Sequence, residues 1–288
     1  MADVSVCIVN WNTREHLREC LASLRQNCAE LGVEVIVVDN ASDDGSAEMV
    51  MTEYPDVRLL ALEENVGYAA GNNLALREAK GRYRLLLNPD IVLKPGAIEA
   101  LVSFLDDHPK AGAVAPRLRL RDGSVQLTCR SFPDPDVVLH EALGLSRLFP
   151  RSKRFGKYRM SWWDYDDART VDQPMASALM LRQAAVEQVG LFDEGFPIFF
   201  NDVDLCRRLW DAGWEIWFTP AAEMIHEGGA STRQVWRQMI RESHLGLMRY
   251  YRKHYRGRTC PVCYGAAMAV LHVGLWARLL AYGLTGRR

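Results

Sequence analysis

Three short segments of the sequence contain side chains that can bind a metal ion or move a proton. They are Asn88-Pro89-Asp90, Asn201-Asp202-Val203-Asp204 and the segment around His226. Proteins hold divalent cations with carboxylate oxygens and imidazole nitrogens, and they use the same groups to transfer protons. If the fold brings the three segments together, they can form one site that combines a bound cation with a general base.

Taken singly, each segment also has a structural explanation. Asn-Pro-Asp is a common β-turn sequence, and Asp202 and Asp204 are placed to cap the helix predicted to follow them. A lone histidine such as His226 is more often structural than a ligand. The small-residue loop that follows it, residues 227–231, is able to approach phosphate groups closely. The segments therefore indicate a function only as a set.

The elements that must position these side chains alternate between strand and helix patterns. Apolar runs rich in β-branched residues predict strands, and segments with a 3.6-residue apolar period predict helices. The predicted strands are residues 4–9, 33–38, 57–62 and 83–87, and the predicted helices between them include 46–54 and 71–79. This alternation predicts an α/β fold with a Rossmann-like, mostly parallel sheet flanked by helices.

Polar residues follow each of these four predicted strands. The polar segments are Asn10-Trp11-Asn12, residues 39–46, residues 63–67 and Asn88-Pro89-Asp90. In open parallel sheets, ligands bind outside the carboxyl ends of the strands. The sequence therefore predicts one polar binding rim at the carboxyl edge of the sheet.

The second half of the chain is less regular. Residues 119–170 are rich in proline, arginine and aromatic side chains, and they predict either a long loop beside the site or an aromatic plug over the core. Farther on, an aromatic strand at 198–200 is predicted to precede a helix at 203–212. A strand at 215–218 is predicted to stop at Pro220.

The order of the motifs resembles that of a known enzyme family. The matching motifs are Val37-Val38-Asp39-Asn40-x-Ser42, Asn65-x-Gly67, Asn88-Pro89-Asp90, Gly190-Leu-Phe-Asp193-Glu194, Asn201-Asp202-x-Asp204-Leu205-x-x-Arg208 and His226. This set is similar to the family 2 glycosyltransferases with the GT-A fold, on their rhamnosyltransferase-like branch. The resemblance implies an inverting enzyme that moves a sugar from a nucleoside diphosphate donor to an acceptor hydroxyl.

The resemblance also implies a role for each matching residue. Asp202 is implied as the catalytic base. The residues implied to bind the nucleotide-sugar are Asn10, Asp39, Asn65, Gly67, Asn88 and Asp90. Of these, Asp39 would contact the nucleotide base. Asp90 and His226 are implied to share a Mn²⁺ or Mg²⁺ ion on the donor diphosphate.

Three positions depart from the family pattern. Asn88 replaces the first acid of the metal motif, a variant common on the rhamnosyltransferase-like branch. Asn201 replaces the glutamate that usually precedes the base, which is expected to change the pKa or the acceptor setting of Asp202 without loss of activity. Ala176 stands where the family often has glycine, which affects the local geometry of the acceptor site.

The substrates follow from the resemblance alone. The favoured donor is dTDP-rhamnose, with UDP-sugars as the other candidates, and the acceptor is a polysaccharide or a lipid-linked saccharide. No nucleic acid partner is expected. The alternatives are a sugar nucleotidyltransferase, which would need a glycine-rich basic loop after the first strand, and a non-catalytic nucleotide-sugar-binding relative, which would lack the Asp202 carboxylate. A dinucleotide-dependent oxidoreductase is disfavoured because residues 10–15 contain no Gly-x-Gly-x-x-Gly turn.

Charge divides the 288-residue chain into two parts. Its net charge is only -1, yet residues 1–232 contain 24 Lys/Arg and 35 Asp/Glu. Residues 233–258 contain eight basic residues and a single acid, Glu242. The division predicts a GT-A glycosyltransferase domain at 1–232 and an appendage of basic amphipathic and apolar helices at 233–288.

The C-terminal appendage predicts contact with an anionic membrane surface. A basic amphipathic helix at 235–253 suits such a surface. The apolar segment 264–284 is long enough to span a bilayer, but Arg278 within it favours a position in the interface. Packing against a partner subunit or against the catalytic domain are the alternatives.

The cysteines indicate the cellular compartment in which the protein is found. There are seven, an odd number, and no signal peptide precedes the strand that starts at residue 4. Only Cys260 and Cys263 have metal or redox spacing, and without a second Cys/His pair they are expected to be free thiols. The predicted location is therefore the cytoplasm, at the inner face of the cell membrane.

Overall fold

The computed structural model describes residues 3–28, 32–227 and 236–285. Its strands are β1 (Val4–Asn10), β2 (Val33–Asp39), β3 (Arg58–Ala61), β4 (Tyr83–Leu87), β5 (Ile91–Leu93), β6 (Ala111–Arg119), β7 (Cys129–Arg130), β8 (Arg169–Thr170), β9 (Gln173–Pro174), β10 (Ala178–Arg182) and β11 (Glu215–His226). Its helices are α1 (Arg14–Asn27), α2 (Ser46–Glu53), α3 (Tyr68–Glu78), α4 (Ala97–Asp107), α5 (Pro135–Ala142), α6 (Leu145–Leu148), α7 (Gln183–Val189), α8 (Asn201–Asp211), α9 (Trp236–His254) and α10 (Pro261–Thr285). The predicted alternation of strand and helix in the first half of the chain is confirmed.

Apart from the β7–β9 ribbon, the strands form one mixed sheet, in which the four strands β1 to β4 are parallel to one another. The order across it is β3-β2-β1-β4-β10-β6-β11-β5, and β8 pairs with β11. Strand β10 runs antiparallel between β4 and β6. The carboxyl ends of β1 to β4 and the amino end of β10 therefore lie at one edge, where Asn10 pairs with Asp39 and Leu87 pairs with Ala178.

Both faces of the central strands are buried. In β1, Cys7 and Val9 pack on the face covered by α3 and α8, whereas Val6 and Ile8 pack on the face covered by α1 and α4. A strand buried on both faces shows no alternation of apolar and polar residues, which explains the continuous apolar run at residues 4–9. Polar side chains that serve a ligand are consequently found at the edge of the sheet.

Two predictions in the second half of the chain are wrong. Residues 198–200 form a bend instead of a strand, and Phe200 has a φ of 66°, which turns the chain into α8 two residues earlier than expected. Pro220 does not end its strand, because β11 continues to His226. The register of β11 against β6 shifts between Thr219 and Glu223. Pro220 lies in that irregularity, where a strand residue needs no ladder N–H.

Residues 119–170 include the helices α5 and α6, so this region is not only a long loop. Trp163 and Tyr165 stack with ring centroids 4.0 Å apart, and both contact the ring of Phe218 edge-on. Tyr165 is fully buried and Trp163 is nearly so. For these two side chains, the structure agrees with the aromatic plug over the core.

Helix α9 is fixed to α8 by the buried carboxylate of Asp204. One oxygen of Asp204 lies 2.8 Å from both His254 Nε2 and Lys253 Nζ, and the other accepts a hydrogen bond of 2.9 Å from Arg208 Nε. A buried charge requires such partners because it has lost its contact with water. Asp204 therefore connects the helix that starts beside Asp202 to the C-terminal part of the chain.

Helix α10 is packed on one side and exposed on the other. Three residues of the predicted apolar stripe, Met268, Leu271 and Leu275, pack against the hydrophobic core. The helix contacts α5 and α9. Among the described residues, one helix is long and apolar enough to cross a membrane, at Pro261–Leu280, and only 11% of that window is buried. The predicted boundary at 232 and most of the predicted 227–231 loop lie outside the described residues.

We expect Asp204→Asn to reduce both the stability of the protein and its sensitivity to acid. Burial raises the pKa of Asp204, but hydrogen bonds from His254 and Lys253 and the charge of Arg208 outweigh it and lower the pKa from 3.8 to about 2. Because the pKa in the folded state is lower, the carboxylate stabilises the fold above about pH 4, and this contribution disappears as the pH falls to about 2.

Thermal unfolding followed by circular dichroism between pH 2 and 7 measures this effect. At pH 7 the variant should lose about 3 kcal/mol, because Lys253, Arg208 and His254 lose the carboxylate that they contact. The exposed Asp107→Asn should behave as the wild type. Equal pH dependence of the wild type and Asp204→Asn below pH 4 would show that Asp204 is not the source of the acid sensitivity.

Candidate active site

A cavity of about 730 Å³ opens at the carboxyl edge of the sheet. The predicted site residues that line it are Asn65, Gly67, Asn88, Asp90, Asp202 and His226. Trp11, from the predicted polar rim, also lines it. Further lining residues, to which the sequence assigned no role, include Tyr68, Met175, Phe199, Met239 and Glu242. The structure thus brings six of the eight predicted site residues to one cavity.

The other two predicted residues, Asn10 and Asp39, lie behind the lining. Both are almost completely buried. Asn10 Nδ2 donates to Asp39 Oδ1 at 2.8 Å, and the backbone N–H of Ser42 donates to Asp39 Oδ2 at 3.0 Å. This network fixes the loops that follow β1 and β2. Asn40, next to Asp39, is the side chain that reaches the cavity.

The loop between β3 and α3 is held by side-chain amides. Asn40 Nδ2 donates to Asn65 Oδ1 at 2.8 Å, and the backbone N–H of Gly67 donates to the same oxygen at 2.9 Å. Gly67 has a φ of 85°, and a Cβ there would lie 3.2 Å from the carbonyl oxygen of Pro197. Only glycine combines that backbone conformation with such a close approach. The loop therefore rests directly against the segment that leads into α8.

Asp90 and His226 approach each other although they are far apart in sequence. Hydrogen bonding between β5 and β11 brings them together, and Asp90 Oδ1 lies 3.3 Å from His226 Nε2. Burial raises the pKa of Asp90, but the His226 imidazole more than compensates, and the pKa is lowered from its ordinary value. Asp90 is therefore an anion at neutral pH.

Gln126 determines which nitrogen of His226 faces the cavity side. Gln126 Oε1 lies 2.7 Å from His226 Nδ1. Because an amide oxygen only accepts hydrogen bonds, Nδ1 donates to Gln126, and Nε2 is the nitrogen that faces Asp90. The buried Nε2 has no hydrogen bond of good geometry within the described part of the chain, and its nearest charged neighbour is Asp90 Oδ1.

Asp202 presents a carboxylate at the first turn of α8. Its Oδ1 accepts a hydrogen bond of 2.8 Å from the N–H of Val203, and its Oδ2 lies 3.4 Å from the N–H of Ala176. No ion pair to Asp202 is formed within the described ranges. Burial raises its pKa above the ordinary 3.8, and the backbone hydrogen bonds offset this only in part. A carboxylate with a raised pKa is a stronger proton acceptor.

Asn201 stabilises the bend before α8. Its side-chain amide donates to the carbonyl oxygens of Ile198 at 2.8 Å and Phe196 at 3.2 Å. An ionised glutamate cannot donate these hydrogen bonds. The asparagine at this position therefore stabilises the bend through hydrogen bonds that a glutamate could not form.

Tyr68 connects two sides of the cavity. Its hydroxyl lies 3.3 Å from Asn88 Oδ1 and 3.0 Å from the carbonyl oxygen of Ala176. Burial raises the pKa of Tyr68, so the hydroxyl keeps its proton. The side chain of Asn88 and the residue that supports Asp202 are therefore held by one phenol group.

The sequence contained little that would have identified the additional residues. Tyr68 directly follows the Asn65-x-Gly67 motif, which is a weak indication. Glu242 is the only acid after residue 232, which distinguishes it by charge but indicates no role. No local pattern marks Gln126.

Known proteins resemble the chain in both sequence and fold. The family described as Glycosyl transferase family 2 matches residues 5–170. The N-acetylglucosaminyl-diphospho-decaprenol L-rhamnosyltransferase of Mycobacterium tuberculosis is 35% identical over 247 residues, which covers 81% of this chain and 78% of the relative. Rhamnosyltransferase WbbL of Escherichia coli K12 is 24% identical over 259 residues, which covers 86% of this chain and 92% of the relative.

A solved structure with the same fold is the mannosyltransferase PcManGT from Pyrobaculum calidifontis in complex with GDP-Man and Mn²⁺. The comparison gives a TM-score of 0.60 at 20% identity and covers 100% of this chain and 76% of the other. This likeness confirms the predicted α/β architecture of the GT-A type.

Proposed function

Because the chain belongs to glycosyltransferase family 2, we propose that it transfers rhamnose from a nucleoside diphosphate donor to a hydroxyl of a lipid-linked saccharide. The observation that carries this proposal is the placement of Asp202. Its carboxylate faces the same cavity as Asp90 and His226, and it has a raised pKa and no ion-pair partner among the described residues. The similar M. tuberculosis and E. coli proteins are named rhamnosyltransferases, which supports rhamnose as the sugar.

The donor nucleotide, dTDP or UDP, is proposed to bind at the carboxyl ends of β1 to β3. Asn40, Asn65 and the backbone of Gly67 offer polar contacts on that side of the cavity. Asp39 and Asn10 act from behind, because their hydrogen bonds to each other and to Ser42 fix the loops that surround the nucleotide. Asn88 is proposed to contact the donor sugar.

A divalent cation, Mn²⁺ or Mg²⁺, fits the pair of Asp90 and His226. An anionic carboxylate and a buried imidazole nitrogen lie side by side here, and both are suitable ligands. When bound, the ion would supply charge stabilisation for the departing diphosphate. Gln126 holds the imidazole in the tautomer that can bind a metal.

The reaction proposed is one displacement at the anomeric carbon. The Asp202 carboxylate accepts the proton of the acceptor hydroxyl, and that oxygen forms the new bond to the sugar. The bond between the anomeric carbon and the diphosphate oxygen breaks, and the nucleoside diphosphate leaves with its electron pair. A single attack from the opposite side inverts the anomeric configuration. The N–H groups of Val203 and Ala176 hold Asp202 in position.

The C-terminal helices are proposed to lie on the anionic inner surface of the cell membrane. The outward side of α10 exposes Val262, Val273, Trp276 and Leu280, each by more than 60%. Exposed arginines, including Arg252 and Arg256, lie at the end of α9 and just beyond it. Burying Arg278 at a bilayer centre costs about 2.5–3.5 kcal/mol, and the inward side of α10 already packs on the protein. An interfacial position therefore fits better than a spanning one.

The first test concerns the base. Asp202→Asn should lower turnover by about two to four orders of magnitude while donor binding persists. In the wild type, kcat/KM should fall as the pH drops through the raised pKa of Asp202, since only the ionised carboxylate accepts a proton. Asp107→Asn is the control. Near-normal rhamnose transfer from dTDP-rhamnose by Asp202→Asn would contradict the assignment.

The second test concerns the cation and uses binding as well as activity. Chelation should abolish transfer, and added Mn²⁺ should restore it. Gln126→Leu should weaken Mn²⁺ binding by about 10- to 100-fold, measured by calorimetry in the presence of dTDP, because His226 loses the contact that sets its tautomer. The exposed Gln26→Leu should bind Mn²⁺ as the wild type does. Full activity in excess chelator would rule out the metal.

The third test is flotation with anionic liposomes. The protein should float with vesicles at low salt and less well at high salt, because part of the attraction is electrostatic. Val273→Glu together with Trp276→Ala should reduce flotation, whereas Met51→Ala, which removes a similarly exposed side chain on α2, should not. Recovery of the wild type only in the soluble fraction at low salt would contradict membrane binding.

A further inference from the structure

Helix α9 places one carboxylate, Glu242, in the wall of the catalytic cavity. Met239, one turn before it on the same helix, also lines the cavity. This helix lies outside residues 5–170, the segment that matches the family model. The cavity therefore combines strand ends from the matched segment with a charged side chain from the C-terminal part of the chain.

Three contacts fix α9 against the segment that leads to Asp202. Gly246 lies so close to the bend that a Cβ there would approach the Phe200 ring to 3.0 Å and the carbonyl oxygen of Phe199 to 3.1 Å. Lys253 Nζ lies 2.8 Å from Asp193 Oδ2. The third contact is the buried Asp204 with its partners on α9. Glu242 is consequently held in a defined position relative to the catalytic base.

The Glu242 carboxylate has no hydrogen bond or ion pair with any residue of the described ranges. No group of three or more acidic, histidine or cysteine side chains in these ranges could hold a metal, so Glu242 does not complete a cation site with Asp90 and His226. An anionic carboxylate also repels phosphate. The ligand that suits it is a neutral group with several hydroxyl donors, since a charged acceptor strengthens such hydrogen bonds.

We propose that Glu242 binds the sugar unit of the acceptor by accepting hydrogen bonds from its hydroxyls. Met239, Ile198 and Phe199 supply apolar surface for the C–H faces of the same sugar. In this arrangement, Glu242 orients the acceptor so that one hydroxyl meets Asp202. The inference rests on the proposed sugar transfer, and it assigns acceptor recognition to the C-terminal helices.

The experiment compares Glu242→Gln and Glu242→Ala with the wild type, using dTDP-rhamnose and an N-acetylglucosaminyl diphosphate that carries a short polyprenyl chain. The KM for the acceptor should rise about 10- to 100-fold, in line with the loss of a hydrogen bond to a charged group. The KM for the donor, the slow hydrolysis of donor without acceptor, the Mn²⁺ affinity and the melting temperature should stay at wild-type values. Glu48→Gln, an exposed site on α2, is the control.

Acceptor analogues that each lack one hydroxyl make the test specific. If Glu242 contacts a given hydroxyl, removing both that hydroxyl and the carboxylate should cost little more than removing either one. Additive losses with every monodeoxy analogue would overturn the inference. So would a wild-type acceptor KM in both variants, a changed Mn²⁺ affinity, or a melting temperature that falls in Glu242→Gln.

Failure of this inference can be distinguished from failure of the proposed function. If the wild type transfers no rhamnose to the acceptor, the proposed function is wrong and the inference falls with it. If the wild type transfers rhamnose and both Glu242 variants match it, the inference alone is overturned.

Discussion

The buried carboxylate of Asp204 is the interaction on which the geometry of the site depends. Asp202 and Asp204 lie within one turn of α8, yet the first faces the cavity and the second faces α9. A charge without access to water is satisfied only when His254, Lys253 and Arg208 all reach it. Few relative positions of the two helices allow this. Asp202 and the wall that carries Glu242 are therefore positioned by the same contact.

The reversed strand β10 has a comparable effect on the other side of the cavity. Because β10 is antiparallel to β4, the residues that precede it lie beside the carboxyl end of β4, and the N–H of Asn88 donates to the carbonyl oxygen of Ser177. A parallel strand would have placed them at the opposite edge. Tyr68 then joins Asn88 to Ala176. The carboxyl end of β4 and the backbone beside Asp202 are thus linked through one hydroxyl group.

The first half of the fold could be predicted from the sequence because its elements follow local rules. Strands buried on both faces read as uninterrupted apolar runs, and the polar residues after them identified the binding edge. The bend at 198–200 could not be predicted, since aromatic residues favour strands, and its causes are the Asn201 hydrogen bonds and the close approach of the distant Gly246. Gln126 and Glu242 reach the site only through the tertiary fold. No periodicity in their own segments indicates which way they face.

The family model matches residues 5–170, whereas Asp202, His226 and Glu242 all follow that segment. In the proposed arrangement, the earlier segment supplies the strand ends that face the nucleotide, and the later one supplies the base and the helix wall. Substitutions that accumulate in the later segment would change which glycan is extended, while the activated sugar taken from the cell's supply stays the same. Relatives that share a donor can in this way build different polymers.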